Sequence, residues 1–451
     1  MKQRIKIVLI GAGSKEFSKN LIHDLILEKD LQDNFDLKVV LVDINKKLLN
    51  ERIGYARQCV KLKNSNIKFT ATTERKEALP DANFVFLSVA VHRMELWEQD
   101  FRVPIAFGIK HIYGENGGPG ALFHTLRNYH LIFPILRDIE RLCPKTLLIN
   151  FTNPEARILT AILKLTRINA IGLCHGYASF QKMVAKILKY SLSDLDIRTA
   201  GMNHFYTFYK IVEKKTGRDL RPELKKKIMK SLKEFPPLVR FLWETFDVMG
   251  YISDYHVGEY LSFASEFTGI KWKFGIESSK ISPDVSITPS MIFNAWREGK
   301  NVDRYLKDNY LLCKKNSKEQ NILLTKSDEL AVPVIADILL NRKTLRPAVN
   351  VLNTEGYIEN LSKDGCIEIP ATIDAEGIHP EYIGYLPEGF AAQIRLQHSI
   401  QKIIIEAYVK RSKKLLLQAL LLDPVTVPAK KAAHFLDYMF ELQSSYLPRF
   451  E

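Results

Sequence analysis

The chain has 451 residues, 46% of them hydrophobic, and a formal charge of +14, which is length enough for two ordinary domains with a real core. Its basic runs, such as Lys225 to Lys227 and Lys410 to Lys414, fall on helical periodicity without interleaved aromatics, so they read as solvated faces and argue against nucleic acid as a partner. The five cysteines, Cys59, Cys143, Cys174, Cys313 and Cys366, are scattered with no C-x-x-C spacing, which excludes a disulfide framework or structural zinc site and fits a reducing, cytoplasmic setting.

In chain order, the apolar run at the start lasts about five residues before glycines, below the ~7–15 of a signal core, so Ile5 to Ile10 reads as a first strand. Phe17, Leu21, Ile22, Leu25 and Ile26 form an apolar helix stripe, and Leu37 to Val42 is the second strand. Phe84 to Ser88, Leu147 to Asn150 and Ala170 to Leu173 read as further buried strands, with Ala121 to Leu142 a long helix containing Pro134, an expected kink. This alternation predicts an α/β fold: a Rossmann-type, doubly wound parallel sheet over residues 1–200. Residues 201–451 read as a second, mixed α+β domain, with strands and loops from Val349 to Pro387 and a helical region from Ala391 to Leu422. The apolar stretch Leu415 to Leu422 is interrupted by Gln418, and nothing approaches the ~20 residues that span a bilayer.

Strand one ends in Gly11-Ala12-Gly13-Ser14, where two glycines permit a tight turn and let backbone N–H groups approach a pyrophosphate. Glu16 stands at the third glycine position of G-x-G-x-x-G, so the fingerprint is incomplete. Strand two ends in Asp43, placed to accept hydrogen bonds from an adenosine ribose and to repel a 2′-phosphate, which favours NAD over NADP. As a bare strand-to-helix turn, the same segment needs no ligand.

Cys174 and His175 follow the strand Ala170 to Leu173, at the edge where open α/β sheets place ligands, and His204 lies in Gly201-Met202-Asn203-His204-Phe205. A thiolate and an imidazole suit a borderline transition metal, although a buried cysteine and a capping histidine are the commoner case. Asn153-Pro154 also follows a strand, and Asn153 is a good helix cap as well as a group that could meet a ligand. Glu115 sits in the glycine-rich Gly114-Glu115-Asn116-Gly117-Gly118-Pro119-Gly120, a loop that could orient hydroxyls.

Taken in order, Gly-Ala-Gly-Ser at Gly11, Glu-Asn-Gly-Gly-Pro-Gly-Ala at Glu115, Asn-Phe-Thr-Asn-Pro at Asn150, Cys-His-Gly at Cys174, Gly-Met-Asn-His-Phe at Gly201 and the segment Gly250 to Tyr260 resemble glycoside hydrolase family 4 over nearly the whole chain. The resemblance implies a lactate/malate dehydrogenase-like fold, NAD bound at Gly11, Gly13, Ser14 and Asp43, and a divalent metal, usually Mn²⁺, held by Cys174 and His204. It implies substrate contacts from Glu115 and Asn153. The residue after the metal cysteine is an acid in some subfamilies where it is aspartate; here it is His175. The base falls in Ser253-Asp254-Tyr255-His256, and the choice between Asp254 and Tyr255 stays open. Ala121 departs from the usual second glycine after Gly-Pro.

The implied reaction is hydrolysis by oxidation at carbon 3 of the sugar, proton loss at carbon 2, elimination of the aglycone, addition of water and re-reduction by the retained NADH. Cys174-His175-Gly176 resembles the uronidase branch, pointing to an anionic α-galacturonide or α-glucuronide; Gly176 would leave room beside the sugar and the basic chain would suit an anion. Relatives commonly form homodimers or homotetramers. The alternatives are an α-glucosidase or α-galactosidase of the same family, a lactate/malate-type NAD-dependent dehydrogenase, or a nucleotide-sensing protein without turnover.

Overall fold

The structure, a computed structural model, describes residues 2–14, 17–230, 235–268, 323–425 and 428–451; Glu16 and Cys313 lie outside the described residues. Its strands are β1 (Gln3–Ile10), β2 (Phe35–Val42), β3 (Lys68–Thr72), β4 (Phe84–Leu87), β5 (Leu147–Asn150), β6 (Asn169–Gly172), β7 (Leu195–Met202), β8 (Phe205–Glu213), β9 (Thr344–Leu352), β10 (Cys366–Asp374) and β11 (Gly377–Pro380).

They form one sheet in the order β3-β2-β1-β4-β5-β6-β9-β10-β7-β8, with β11 added on β10. The first six strands pair parallel, in the doubly wound order whose switch point lies between β1 and β4. The remaining pairings are antiparallel. The two patterns meet where β6 pairs β9 through Gly172 and Asn350. The boundary expected near residue 200 falls inside β7, which pairs with both β8 and β10.

Because successive side chains point to opposite faces, β1 feeds two cores. Ile5, Ile7 and Leu9 pack with Leu21, Ile22 and Leu25 of the helix Phe17–Leu27. Val8 and Ile10 pack with Leu126, Ile132 and Leu136 of the helix Gly118–Leu142, which continues through Pro134. A third core gathers Met202, Phe205, Phe390 and Ile394 around the antiparallel half.

The C-terminal helical region is not continuous. It divides into Glu388–Lys410 and Lys413–Leu422, with Arg411 left-handed at φ 55° between them. Ser412 caps the second helix by accepting from the Leu415 N–H at 3.4 Å, which gives its orphan N–H a partner. Among the described residues, no helix is long and apolar enough to cross a membrane.

Candidate active site

The turn after β1 is closed by backbone bonds: the Gly11 and Ala12 N–H groups donate to the Val42 carbonyl at 2.9 and 3.0 Å, and the Ser14 N–H donates to the Gly11 carbonyl at 3.1 Å. Gly11 has φ +92°, and a Cβ there would lie 1.8 Å from the Ser88 carbonyl oxygen. Only glycine lets β1 turn this tightly against the end of β4. Asp43 stands at the tip of β2; its Oδ2 accepts from the Gly13 N–H at 2.7 Å and its Oδ1 from the Asn45 N–H at 2.8 Å. The carboxylate is partly open to solvent beside Ile44, which is 91% exposed. A cradle of small residues, an acid and an uncovered apolar side chain fits a dinucleotide's pyrophosphate, ribose and adenine in turn.

Cys174 comes two residues after β6, and His204 sits at the tip of the β7–β8 hairpin with φ 62°. Cys174 Sγ and His204 Nε2 are 3.6 Å apart. Burial pushes the Cys174 thiol up and holds the His204 imidazole neutral, well below its usual range. A neutral imidazole beside a thiol that only a cation would deprotonate is a donor set suited to a borderline divalent metal. His204 Nδ1 is turned to the Asn116 amide at 3.1 Å, the second contact that fixes a ligating ring.

From Asn116 the contacts run on into the glycine-rich loop. Its amide donates to Glu115 Oε2 at 3.3 Å, and Asn153 Nδ2 donates to Glu115 Oε1 at 3.2 Å. Arg93 also binds Glu115 Oε1. The loop is held from behind by the buried Glu259 carboxylate, which accepts from the Glu115 and Asn116 N–H groups. A cleft lined by Arg93, Trp97, Glu115, His124 and Asn128 opens here. Asn153 does not cap the following helix: Glu155–Leu165 has Pro154 at its cap position, the Asn153–Pro154 peptide is cis, and the Asn153 side chain turns to Glu115 instead.

His175 occupies the cap position of the helix Gly176–Leu188, with Nδ1 3.2 Å from Glu329 Oε1 and a side chain 57% exposed. In the segment expected to hold the base, the Asp254 oxygens accept from the Leu238 and Val239 N–H groups at 3.1 and 3.0 Å, capping the helix Pro237–Phe246. Burial pushes that carboxyl up to about 6. Tyr255 packs near Tyr113, with ring centroids 6.5 Å apart.

Two neighbours that the sequence reading did not single out lie closer to the cysteine–histidine pair. Tyr251 stacks on His204 at 5.5 Å with planes 5° apart, and the His256 ring lies 4.3 Å from His204. Ligand atoms of His204, His256 and Glu259 all lie within 4.8 Å of one another. The space left by Gly176 is filled by Tyr251, whose Cε2 would be 2.3 Å from a Cβ there. Behind the pair, buried Glu368 accepts from Asn203 and Asn350 through Oε2 at 2.8 and 3.2 Å, and burial pushes it up to about 7. Its position was legible only as one acid in a strand.

Fold and site together define a Rossmann-type α/β enzyme with a thiol–imidazole pair and a carboxylate–amide cluster at the strand ends. The model of the family 4 glycosyl hydrolases matches residues 6–190, and that of their C-terminal domain residues 199–426. The chain belongs to this family and is a hydrolase acting on glycosyl bonds.

It is 29% identical to an α-galactosidase of Bacillus subtilis (strain 168), covering 99% of this chain and all of that one. It is 28% identical to an α-glucosidase of Erwinia rhapontici over 98% of each chain. An α-galacturonidase of Thermoanaerobacter italicus is 28% identical, with 98% and 97% covered. The 6-phospho-β-glucosidase of Thermotoga maritima, solved with manganese, NAD⁺ and glucose-6-phosphate, superposes with a TM-score of 0.79 at 22% identity over 99% of this chain and all of that one. Malate dehydrogenase of Plasmodium falciparum shares the fold at a TM-score of 0.51 and 13% identity, over 90% and 98%.

Proposed function

We propose that the protein hydrolyses α-linked uronides, an α-galacturonide or α-glucuronide, by redox-assisted elimination with NAD and a divalent cation such as Mn²⁺. The observation that carries this reading is the run of contacts from Cys174 through His204, Asn116 and Glu115 to Asn153, at the same sheet edge as the nucleotide turn. When bound, NAD⁺ accepts and returns the carbon 3 hydride, and the cation polarises the oxygen at that carbon.

The chain's own residues do the rest. Gly11, Gly13, Ser14 and Asp43 receive the dinucleotide; Cys174 and His204 hold the cation. Glu115 and Asn153 orient sugar hydroxyls, and Arg93, paired with Glu115, holds it in place. His175, half-open to solvent and paired with Glu329, hands a proton to the leaving oxygen. The base at carbon 2 is a group of the segment 250–260. Asp254 and Tyr255 are the family-derived candidates; Asp254 has both oxygens engaged, and Tyr251, stacked on His204, is the better placed hydroxyl.

The Cys-His-Gly sequence, the +14 charge and an α-galacturonidase among the relatives support the anionic substrate. The second reading is a neutral α-glycosidase, supported by the relatives named α-glucosidase and α-galactosidase. A cytoplasmic homodimer or homotetramer completes the proposal; exposed Leu421, Leu422, Tyr438 and Leu442 on the last two helices support association. The test is a set of aryl α-galacturonides, α-glucuronides and neutral glycosides in D₂O with NAD⁺, Mn²⁺ and reductant. Uronide release with deuterium at carbon 2 is expected. Hydrolysis without NAD⁺ and without label would overturn the mechanism, and release of neutral sugars alone would overturn the substrate class.

A further inference from the structure

We infer that Gln443, just beyond the last helix Ala429–Leu442, is a positioning residue for substrate binding, acting through Asp100 and Arg127. The inference rests on the reading of the cleft at Arg93 and Glu115 as the sugar site, and adds to it residues that reading does not use.

Three observations carry it. The first is a closed network. Arg127 Nη1 and Nη2 donate to the two Asp100 oxygens at 2.9 and 2.5 Å. Gln443 closes the ring from the other side: its carbonyl oxygen accepts from Arg127 Nη1 at 2.6 Å, and its amide donates to Asp100 Oδ1 at 3.0 Å. All three side chains are buried, Asp100 and Gln443 at 0% exposure. A buried ion pair needs its remaining donors and lone pairs satisfied, and a side-chain amide offers a donor and an acceptor at once. An apolar residue at position 443 would leave an Arg127 N–H and an Asp100 lone pair unmet away from solvent.

The second observation is what the network joins. Asp100 lies on the helix Arg93–Ala106, whose first turns carry Arg93 and Trp97, and Arg127 lies on the helix Gly118–Leu142 with His124 and Asn128. All of these except Asp100 line the cleft beside Glu115, so the network bolts one wall of the cleft to the other. The two helices meet closely at the bolt: a Cβ on Gly120 would lie 2.5 Å from the Asp100 carbonyl oxygen. The third observation is the tail itself. The Tyr446 ring packs against His92 with centroids 5.4 Å apart, and His92 directly precedes Arg93, the partner of Glu115. The turn after the last helix thus braces the cleft wall at both Asp100 and His92. None of these contacts involves Cys174 or His204, so the tail acts on how the sugar is held and not on the cation.

The test compares the full chain with Gln443→Met, which keeps length and bulk but makes neither bond. The substrate is the aryl glycoside that the parent cleaves fastest, with NAD⁺, Mn²⁺ and reductant present. KM rises at least about fivefold while kcat stays within about twofold, the signature of lost binding common to substrate and transition state. The dissociation constants for NADH and Mn²⁺, titrated separately, do not move. Gln443→Glu, which keeps the acceptor for Arg127 and loses only the donor to Asp100, gives a smaller rise in KM and carries the test alone if Gln443→Met does not fold. A lower melting temperature with KM within about twofold of the parent makes Gln443 a structural residue only and overturns the inference, as does a fall in kcat alone. If the parent cleaves no aryl glycoside of the set, the sugar reading of the cleft falls and takes this role with it.

Discussion

The ring of Tyr251 occupies the volume where a side chain at position 176 would be: a Cβ on Gly176 would lie 2.3 Å from Tyr251 Cε2 and 2.7 Å from its hydroxyl. The glycine of Cys174-His175-Gly176 therefore acts on the site through Tyr251, and not by leaving an open space for the sugar. Gly176→Ser should displace the tyrosine from His204 and cost stability by ~1–3 kcal/mol, as overpacking does. Activity should drop while NAD affinity holds, measured by kcat/KM beside a fluorescence titration of NADH. Unchanged kcat/KM would show that the contact is dispensable.

Asn116 touches His204 Nδ1 on the side away from Cys174. Asn116→Ala should weaken Mn²⁺ binding about 10–100-fold, the usual effect of removing a group that orients a metal-binding histidine. Calorimetric titration of the metal-free protein gives the number. Cys174→Ser and His204→Ala should abolish activity with the fold and NAD binding intact.

Exchange at carbon 2 separates the base candidates. Tyr251→Phe should lose deuterium incorporation from D₂O, whereas Asp254→Ala should keep it and instead lower stability by about 0.5–2 kcal/mol, the cost of a lost helix cap. Tyr255→Phe is the arbiter between the two tyrosines. Retained exchange in Tyr251→Phe with loss in Tyr255→Phe returns the role to Tyr255.

Asp43 holds the Gly13 N–H and would meet the adenosine ribose. Asp43→Ala should raise the NAD dissociation constant about tenfold, the loss of one or two hydrogen bonds to a charged group, and narrow the preference over NADP. Equilibrium titrations with both dinucleotides measure this; an unchanged ratio would remove Asp43 from the site.

Glu368 is buried, and its carboxyl stands at about 7 against an ordinary 4.5. The folded chain thus holds this proton more tightly than the unfolded chain, so the group's contribution to stability is present in full below about pH 4.5 and is lost as pH rises through about 7. Glu368→Gln, which keeps an acceptor for Asn203 and Asn350, should flatten the decline in melting temperature across that window. A variant whose melting temperature falls as steeply as the parent's would contradict the assignment.

The parallel half of the sheet was readable because its strands are buried on both faces and appear as continuous apolar runs, as in Phe84–Leu87 and Leu147–Asn150. β3, Lys68–Thr72, was not: an edge strand with polar residues alternating carries little apolar signal. The break at Arg411 and Ser412 also went unread, since neither glycine nor proline marks it. For the site, Cys174, His204, Glu115 and Asn153 stood out as residues with chemistry at strand ends and turns. Tyr251 and His256 did not, because their nearness to His204 depends on how a loop about 50 residues downstream folds back over the hairpin tip.

The meeting of β6 with β9 at Gly172 and Asn350 divides the labour of the centre between two architectures. The nucleotide half ends in the thiol, two residues past β6; the antiparallel half carries the imidazole on its hairpin. Neither half alone can complete the pair, and no covalent link crosses between them at that point. A cation seated there would act as a clasp across the seam, so loading the protein with metal should raise the temperature at which the shared sheet melts.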